Sequence, residues 1–564
     1  MDPWQAVVNA IKAEGVEFVF GIGDTFVNLL AEKTPGITPI NIRYEGSGPF
    51  MAMAYARLSG GPGVCTGSSG PGVSNMISGV LEAYYGCSPL VMPCICPTQE
   101  TEGKGEFQEC DQVGMMKPVT KWSVRVSRVE RIPWFMHRAF SIALNGQPGP
   151  IFLELPGDVA GEGPFTEFYG VEPVDVELPE YVPVTRIRTA GDPELISNVT
   201  NLLLNAERPI VVAGNGAILS GAFEEFREFV ELLGIPFLTT PGGRGILSED
   251  HPLALGLVGL YRTKVGKKIY SEADVLLTIG SRNESFQTHG WRDFPEGAKF
   301  IQIDINPFEI GRNWMPDVGV IGDVKLVLRQ LVSGIRRKIE KRKLEDMPRV
   351  KGLLKAKKEY EAEVESECMT EAVPIPTKRI VRELNKVFGK NTILVNENGS
   401  QDCWSYCFPY YKVQNQLGCV PVAEQTCMGM GVVGAIAAKL TKPGKNVVCV
   451  TGDGAFQMYM KELPTAAQYS VGCTWVVLNN LSFGWVKYYQ EKFAGWNTTT
   501  FKVQPDLTKL AEANKCYGEK VESPSEIKSA LERALKANKE GKPAILDFII
   551  EPFDMSHFER AKNP

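Results

Sequence analysis

Apolar residues along this chain gather in short runs, each closed by glycine or a small polar residue and followed by a stretch with helical spacing. Val16–Phe20 runs into Gly21-Ile22-Gly23, and a helical segment continues through Leu30. Ile40–Tyr44 predicts a second strand and Pro49–Leu58 a helix. Gly63-Val64-Cys65-Thr66 leads into Gly67-Ser68-Ser69-Gly70 with a helix behind it, and 148–156 (PGPIFLELP) reads as the last strand of this region. Strands alternating with helices predict a parallel α/β sheet.

The same alternation restarts twice. Strand candidates at Pro209–Gly214, Ala273–Gly280 and Lys299–Ile305 open a second unit that closes near Leu331. Thr392–Asn396, Asn446–Thr451, Thr474–Asn479 and Ala544–Ile550 belong to a third, opening near Thr377. Residues 166–190 are rich in Pro, Glu and Tyr without periodicity, and 336–374 carry a dense mixed-charge run read as a helical linker interrupted at Pro348. The expected organisation is three parallel-sheet α/β domains, at 1–165, 191–335 and 375–550, with these two linkers and a tail over 551–564.

Composition narrows the function. Lys plus Arg number 60 against 66 Asp plus Glu, a formal charge of −6, which argues against a nucleic-acid protein working through a broad basic face. No apolar run is long enough to span a membrane. Met1-Asp2-Pro3-Trp4 does not open a basic-then-apolar leader. The 13 cysteines contain no C-x-x-C pair and read as reduced structural thiols of a cytoplasmic protein. Only four histidines are present, so a mechanism built on several imidazoles is short of parts.

The sharpest chemical signal is in the third unit. Strand Asn446–Thr451 ends at Gly452-Asp453-Gly454, a helical segment follows over Phe456–Tyr469, and strand Thr474–Leu478 ends at Asn479-Asn480. In a βαβ crossover such strands share one sheet edge, which sets Asp453 beside Asn480 where open α/β sheets bind ligands. One carboxylate and one amide oxygen make an incomplete hard site that suits Mg²⁺ completed by phosphate and water. Backbone N–H groups of Gly454 and Ala455 can face the same phosphates. The site therefore predicts a Mg²⁺-bound diphosphate. A dinucleotide fingerprint fails at Gly21-Ile22-Gly23, because Phe26 stands where the third glycine belongs, and no P-loop is present.

GDG-x₂₄-NN resembles the thiamin diphosphate motif of enzymes that decarboxylate and ligate 2-keto acids. The rest of the chain resembles the acetolactate synthase large-subunit branch. The matching segments are YEGSGPFMAMAYARLSGGPGV (44–64), GSSGPGVSN (67–75), GEFQECDQV (105–113), PVTKW (118–122), HPLALGLVG (251–259), IQIDINPFEIGRN (301–313) and CMGMGVVGAIAA (427–438). The resemblance implies pyrimidine-binding, middle and diphosphate-binding domains, in that order. It places Mg²⁺ on Asp453, Asn480 and the main-chain oxygen of Ser482, and the diphosphate at Ser400, Gln401 and the Gly452–Ala455 turn. Thr426 and Met428 would support the bent cofactor. Glu45 is the expected activating acid, sharing a proton with the pyrimidine ring, so that the cofactor acts as its own base. Phe107, Gln108 and Lys121 match substrate-side positions, and Gly214, Gly216, Arg282, Asp304 and Asp323 stand where relatives hold FAD or ADP. A homodimer or homotetramer is implied, with Glu45 of one subunit meeting Asp453 and Asn480 of another.

Departures from the pattern concern the substrate. Phe286, in SRNESF (281–286), replaces an arginine that the family uses for an acceptor carboxylate. Trp485 and Tyr489 replace Met and Trp after the Asn-Asn pair. Without the arginine a second 2-keto acid loses its bidentate partner, and an aldehyde, ketone or apolar acceptor gains ground. The alternatives are a 2-hydroxyacyl-CoA or benzoin-type lyase and, outside catalysis, a silent regulatory homologue; the latter has no chemical need for Glu45, Asp453 and Asn480.

Overall fold

Each of the three alternating regions folds as a parallel six-stranded sheet in the computed structural model, which describes residues 2–23, 25–161, 177–340 and 342–552. The first sheet contains β1 (Phe18–Gly21), β2 (Thr38–Asn41), β3 (Gly63–Cys65), β4 (Leu90–Cys96), β5 (Trp122–Arg125) and β6 (Ile151–Pro156), in the order 2-1-3-4-6-5. The middle sheet contains β7 (Pro209–Ala213), β8 (Phe237–Thr239), β9 (Ala254–Leu257), β10 (Val275–Ile279), β11 (Lys299–Asp304) and β12 (Val318–Ile321), in the order 12-11-10-7-8-9. The third contains β13 (Thr392–Asn396), β14 (Cys419–Val420), β15 (Asn446–Gly452), β16 (Thr474–Asn479), β17 (Tyr517–Val521) and β18 (Ala544–Ile549), in the order 14-13-15-16-18-17. Counted within its own domain, the third sheet repeats the strand order of the first. The middle sheet has the doubly wound order found in dinucleotide folds.

Several local expectations shift. The second strand sits earlier than its apolar run, at Thr38–Asn41, because Arg43 and Tyr44 already belong to the turn before helix Ser47–Ser59. The segment after Gly-Asp-Gly breaks into Asp453–Tyr459, Met460–Glu462 and Leu463–Gln468, with Pro464 lacking the N–H a continuous helix needs. Pro348 does not interrupt the charged helix but starts it, at the first position of Pro348–Cys368, where a missing N–H costs nothing. Of the expected linker and tail, 166–176 and 553–564 lie outside the described residues, and 177–190 carry no regular element.

Compactness cuts the chain differently from the sequential domains. One unit consists of 1–187, 425–442 and 458–470; the other holds 188–424, 443–457 and 471–564. In the first unit, helix Met430–Thr441 packs against helix Ser47–Ser59. Met430–Ala438 is buried throughout, and Ser47–Ala56 likewise, so each helix is apolar all round and needs cover on every side. In the second unit the fully buried Arg244 ties the turn after β8 to the segment following β13. It bonds both oxygens of Glu249 (2.9 and 3.0 Å) and the carbonyls of Ser405 (2.6 Å) and Tyr411 (2.9 Å). Breaking so well-satisfied a buried pair leaves a bare charge, which costs about 3–5 kcal/mol.

Candidate active site

In the third sheet the strand order reverses between β13 and β15, and the loops leaving their carboxyl ends form the crevice where such sheets bind ligands. Ser400 and Gln401 follow β13, and Asp453 follows β15. Asn480 follows β16, the next strand over. The amide of Gln401 lies beside Gly452, where an added Cβ would come 3.4 Å from Oε1. Gly484 packs so tightly on Ser400 and Asn480 that a Cβ there would meet Ser400 Oγ at 2.6 Å and Asn480 Nδ2 at 3.1 Å. Ser400, Gln401, Asp453 and Asn480 thus lie together at this edge of the sheet. Ser482 joins them through its hydroxyl, which donates to Asn480 Oδ1 at 3.1 Å. Leu481 between them takes a left-handed φ of 55°, a strained conformation for a non-glycine residue.

Asp453 carries the electrostatics. Its Oδ1 accepts the Gly454 N–H at 3.0 Å, while Oδ2 is buried without a hydrogen-bond partner among the described residues. Burial pushes its carboxyl up to about 7. The side-chain amide of Gln504 lies against this carboxylate and works against the rise. Orphaned oxygens of this kind, next to one amide ligand, fit a divalent cation that takes its remaining ligands from phosphate and water. Among the described residues no three His, Cys, Asp or Glu side chains cluster as a self-sufficient metal cage. Over this turn a Cβ on Gly454 would strike the Phe483 ring at 2.5 Å, so only glycine allows the aromatic cover formed by Phe483 and Phe501.

The other compact unit assembles Glu45. The residue lies in the turn before helix Ser47–Ser59, half-buried, and Oε2 accepts the Asn75 amide at 3.1 Å. Its Oε1 faces Gly72. The glycine turn after β3 also holds Gln108, whose carbonyl accepts the Ser69 hydroxyl at 3.2 Å and whose φ is 61°. Met428 is fixed by its neighbours: the Cys427 N–H donates to buried Glu82 at 3.2 Å, and Gly429, at φ 103°, lies flat on the Tyr459 ring. Tyr459 packs in turn against Tyr44 and Phe50. Thr426 adopts φ 50°, which is strained for a β-branched residue.

Glu462 is the residue the sequence reading missed. Buried to 1% exposure, it accepts the Arg43 N–H on both oxygens (3.1 Å each), the Ser47 hydroxyl at 2.8 Å and the Thr465 hydroxyl at 2.6 Å. It therefore clamps the turn on both sides of Glu45. In MYMKELPTAA it stands directly after Lys461, like an ordinary exposed charge pair, so the sequence carries no signal of its burial.

Other expected positions do different work. The ammonium of Lys121 is engaged: it donates to the carbonyls of Ile142, Asn145 (3.1 Å) and Gln147 (2.6 Å), so all three of its donors close the end of helix Ile132–Leu144. Burial brings its pKa down to about 8. Phe107 is 80% exposed on a loop. Phe286 lies on the short helix Ser285–Thr288, with its carbonyl against Gly259.

The five middle-domain positions are turned inward. A Cβ on Gly214 would come 2.2 Å from the Gly280 carbonyl, and the Gly216 N–H already donates to that carbonyl at 3.0 Å. Arg282 pairs with Glu284 (3.0 Å). Asp323 caps helix Val324–Arg336 while pairing with Arg188 (2.8 Å) and Ser220 (2.9 Å). Asp304 is buried and raised to about 6.

Family models match parts of all three regions. The thiamine pyrophosphate enzyme N-terminal TPP binding domain matches residues 1–115, the central domain 196–331, and the C-terminal TPP binding domain 399–548. The chain belongs to the thiamine pyrophosphate enzyme family, and it is a thiamin diphosphate-dependent enzyme. It is 35% identical to the probable acetolactate synthase large subunit of Methanococcus aeolicus, over 98% of this chain and 92% of that one. Against the corresponding protein of Methanocaldococcus jannaschii the identity is 34%, over 97% and 92%. Against the acetolactate synthase isozyme 3 large subunit of Escherichia coli it is 29%, over 97% and 94%.

Proposed function

We propose that this enzyme decarboxylates a 2-keto acid and joins the remaining acyl unit to a second carbonyl compound, using thiamin diphosphate and Mg²⁺. The unpartnered, buried Oδ2 of Asp453 at the switch point of the third sheet carries the proposal. Asp453, Asn480 and the main-chain oxygen of Ser482 would hold Mg²⁺, with Ser400, Gln401 and the N–H groups of Gly454 and Ala455 on the diphosphate. Thr426 and Met428 would support the rings. Bound there, the cofactor supplies a carbon acid and an electron sink for the breaking carbon–carbon bond.

The chain's own residues do the rest. Glu45 would hold a proton at the pyrimidine ring nitrogen, with Asn75 fixing Oε2 and Glu462 fixing the turn around it. The Phe483–Phe501 pair would keep water from the diphosphate end. Gln108 and Phe107, flanking the glycine turn, are the residues proposed to meet substrate. Lys121 is left out because its ammonium is spent on carbonyls. A nucleotide in the middle domain is left out too, since its five candidate residues are engaged with internal partners.

The proposed assembly is a homodimer or a dimer of dimers in which Glu45 of one subunit completes the Asp453 site of another. A cytoplasmic setting is proposed as well: none of the 13 cysteines is joined in a disulfide, and among the described residues no helix is long and apolar enough to cross a membrane. The test is reconstitution of apo protein with thiamin diphosphate and Mg²⁺ on a panel of 2-keto acids, benzoins and 2-hydroxyacyl-CoA compounds. CO₂ released together with a ligated product supports the proposal; cleavage of a benzoin or an acyl-CoA without CO₂ would move the enzyme to the lyases, and no cofactor-dependent turnover would leave a regulatory homologue.

A further inference from the structure

Helix Gly484–Ala494 (GWVKYYQEKFA) follows the Asn480–Ser482 turn directly, and none of its 11 residues is buried. Its aromatic side chains at i, i+4 and i+8 form a ladder. Trp485 stacks on Tyr489 with ring centroids 5.7 Å apart and planes at 10°, and Tyr489 on Phe493 at 6.0 Å and 7°. Tyr489 is 44% and Phe493 77% exposed, an arrangement that water opposes.

The inner end of the ladder is anchored at the cofactor-binding residues. Gly484 rests on Ser400 and Asn480. The side chain of Trp485 hydrogen-bonds the Asp402 carboxylate, one residue from Gln401. Asp402 is itself 3% exposed and accepts the hydroxyl of Tyr261, from the 3-10 turn Gly259–Tyr261 after β9, at 3.0 Å. Trp485 is thus held in one orientation by a buried acceptor, and its neighbours continue the stack outward from the diphosphate end of the crevice. A preorganised aromatic face next to the reacting groups selects flat partners at low entropic cost.

From this continuity we infer that the second carbonyl substrate is an aryl aldehyde or ketone stacked on the Trp485–Tyr489 face, with Asp402 as the positioning residue that orients Trp485. The inference rests on the carboligation proposed above. In balance, the bond between carboxylate and carbonyl carbon of the 2-keto acid breaks and CO₂ leaves. A bond forms from that carbonyl carbon to the aldehyde carbon, and the aldehyde oxygen takes up one proton to become the hydroxyl of the ketol.

The experiment uses holoenzyme with pyruvate as donor and compares benzaldehyde with acetaldehyde as acceptor. The expected kcat/KM ratio favours benzaldehyde by about tenfold, and Trp485→Ala or Tyr489→Leu should cut that ratio by about threefold to tenfold, the size of one aromatic contact, chiefly through a raised KM for benzaldehyde. Asp402→Asn, which keeps an acceptor for the indole, should retain the preference; Asp402→Ala should lose it. Equal use of both acceptors, or variants that leave the ratio unmoved, would overturn the inference without touching the proposed reaction. If no donor is turned over, the reaction fails, and saturation transfer from protein to the ring protons of benzaldehyde still decides the inference: a signal lost in Trp485→Ala supports it, and one unchanged refutes it.

Discussion

At the scale of single residues, the surroundings of a few acids decide what each one does. Glu462 spends both oxygens on the turn around Glu45. Glu462→Ala would orphan the Arg43 N–H and two hydroxyls, so urea unfolding should show a loss of about 1–3 kcal/mol. Glu462→Gln should keep the fold and the affinity for Mg²⁺ and thiamin diphosphate while kcat falls, a split that fluorescence titration and steady-state kinetics would record. Asp402 gives a pH signature. Burial holds its carboxyl up to about 7, with the Tyr261 hydroxyl, Cys403 thiol, Gly399 N–H and Trp485 facing it. Unfolded, the group titrates near 3.9, at about the ordinary value. The folded chain therefore binds this proton more tightly, and the stability it adds is full below about pH 4 and gone above about pH 7. Asp402→Asn should flatten that part of the fall in Tm between these limits; an unchanged profile would contradict the assignment. Asp453 and Asn480 were legible in the sequence because a strand, a tight turn and a helix set them in context, whereas Glu45 stood out only through the resemblance of the segment 44–64. Glu462 and the true role of Lys121 were not, since both depend on partners far along the chain: a buried acid and a helix-end cation look like ordinary surface charge until the fold brings the backbone to them.

At the scale of elements, strands were the most readable part, with Thr392–Asn396 and Thr474–Asn479 expected and observed over the same residues. Their apolar runs are buried on both faces, so hydrophobicity alone marks them. Helix Met430–Thr441 was harder to place. Its apolar, glycine- and alanine-rich sequence says that it is covered, but not by what, and it joins a compact unit with helix Ser47–Ser59, nearly 400 positions earlier. Gly429 at its start lies on the Tyr459 ring at φ 103°, and a Cβ would come within 2.0 Å of that ring. Gly429→Ala should therefore cost about 1–3 kcal/mol and displace Met428, lowering kcat more than cofactor affinity. A variant as stable and active as the parent would show that the ring contact is dispensable.

At the scale of the whole molecule, the first and third sheets along the chain share one strand order and the second is doubly wound, and the residues assigned to the two ends of the cofactor fall in different compact units of the chain. The proposed dimer makes a direct prediction. Glu45→Gln and Asp453→Asn homodimers should each be inactive, while mixing and re-equilibrating them should restore up to about a quarter of parental activity, because a hybrid dimer retains one intact site. No recovery from hybrids shown to form would mean that each chain completes its own site.

The central claim is that Glu45 activates a Mg²⁺-bound thiamin diphosphate for 2-keto acid decarboxylation and ligation. The most direct measurement is cofactor-dependent CO₂ release from 2-keto acids by the parent and by Glu45→Gln, with Mg²⁺–thiamin diphosphate binding followed on the same samples. The account predicts unchanged binding and a fall in turnover of at least about a hundredfold; a fully active Glu45→Gln enzyme would contradict it.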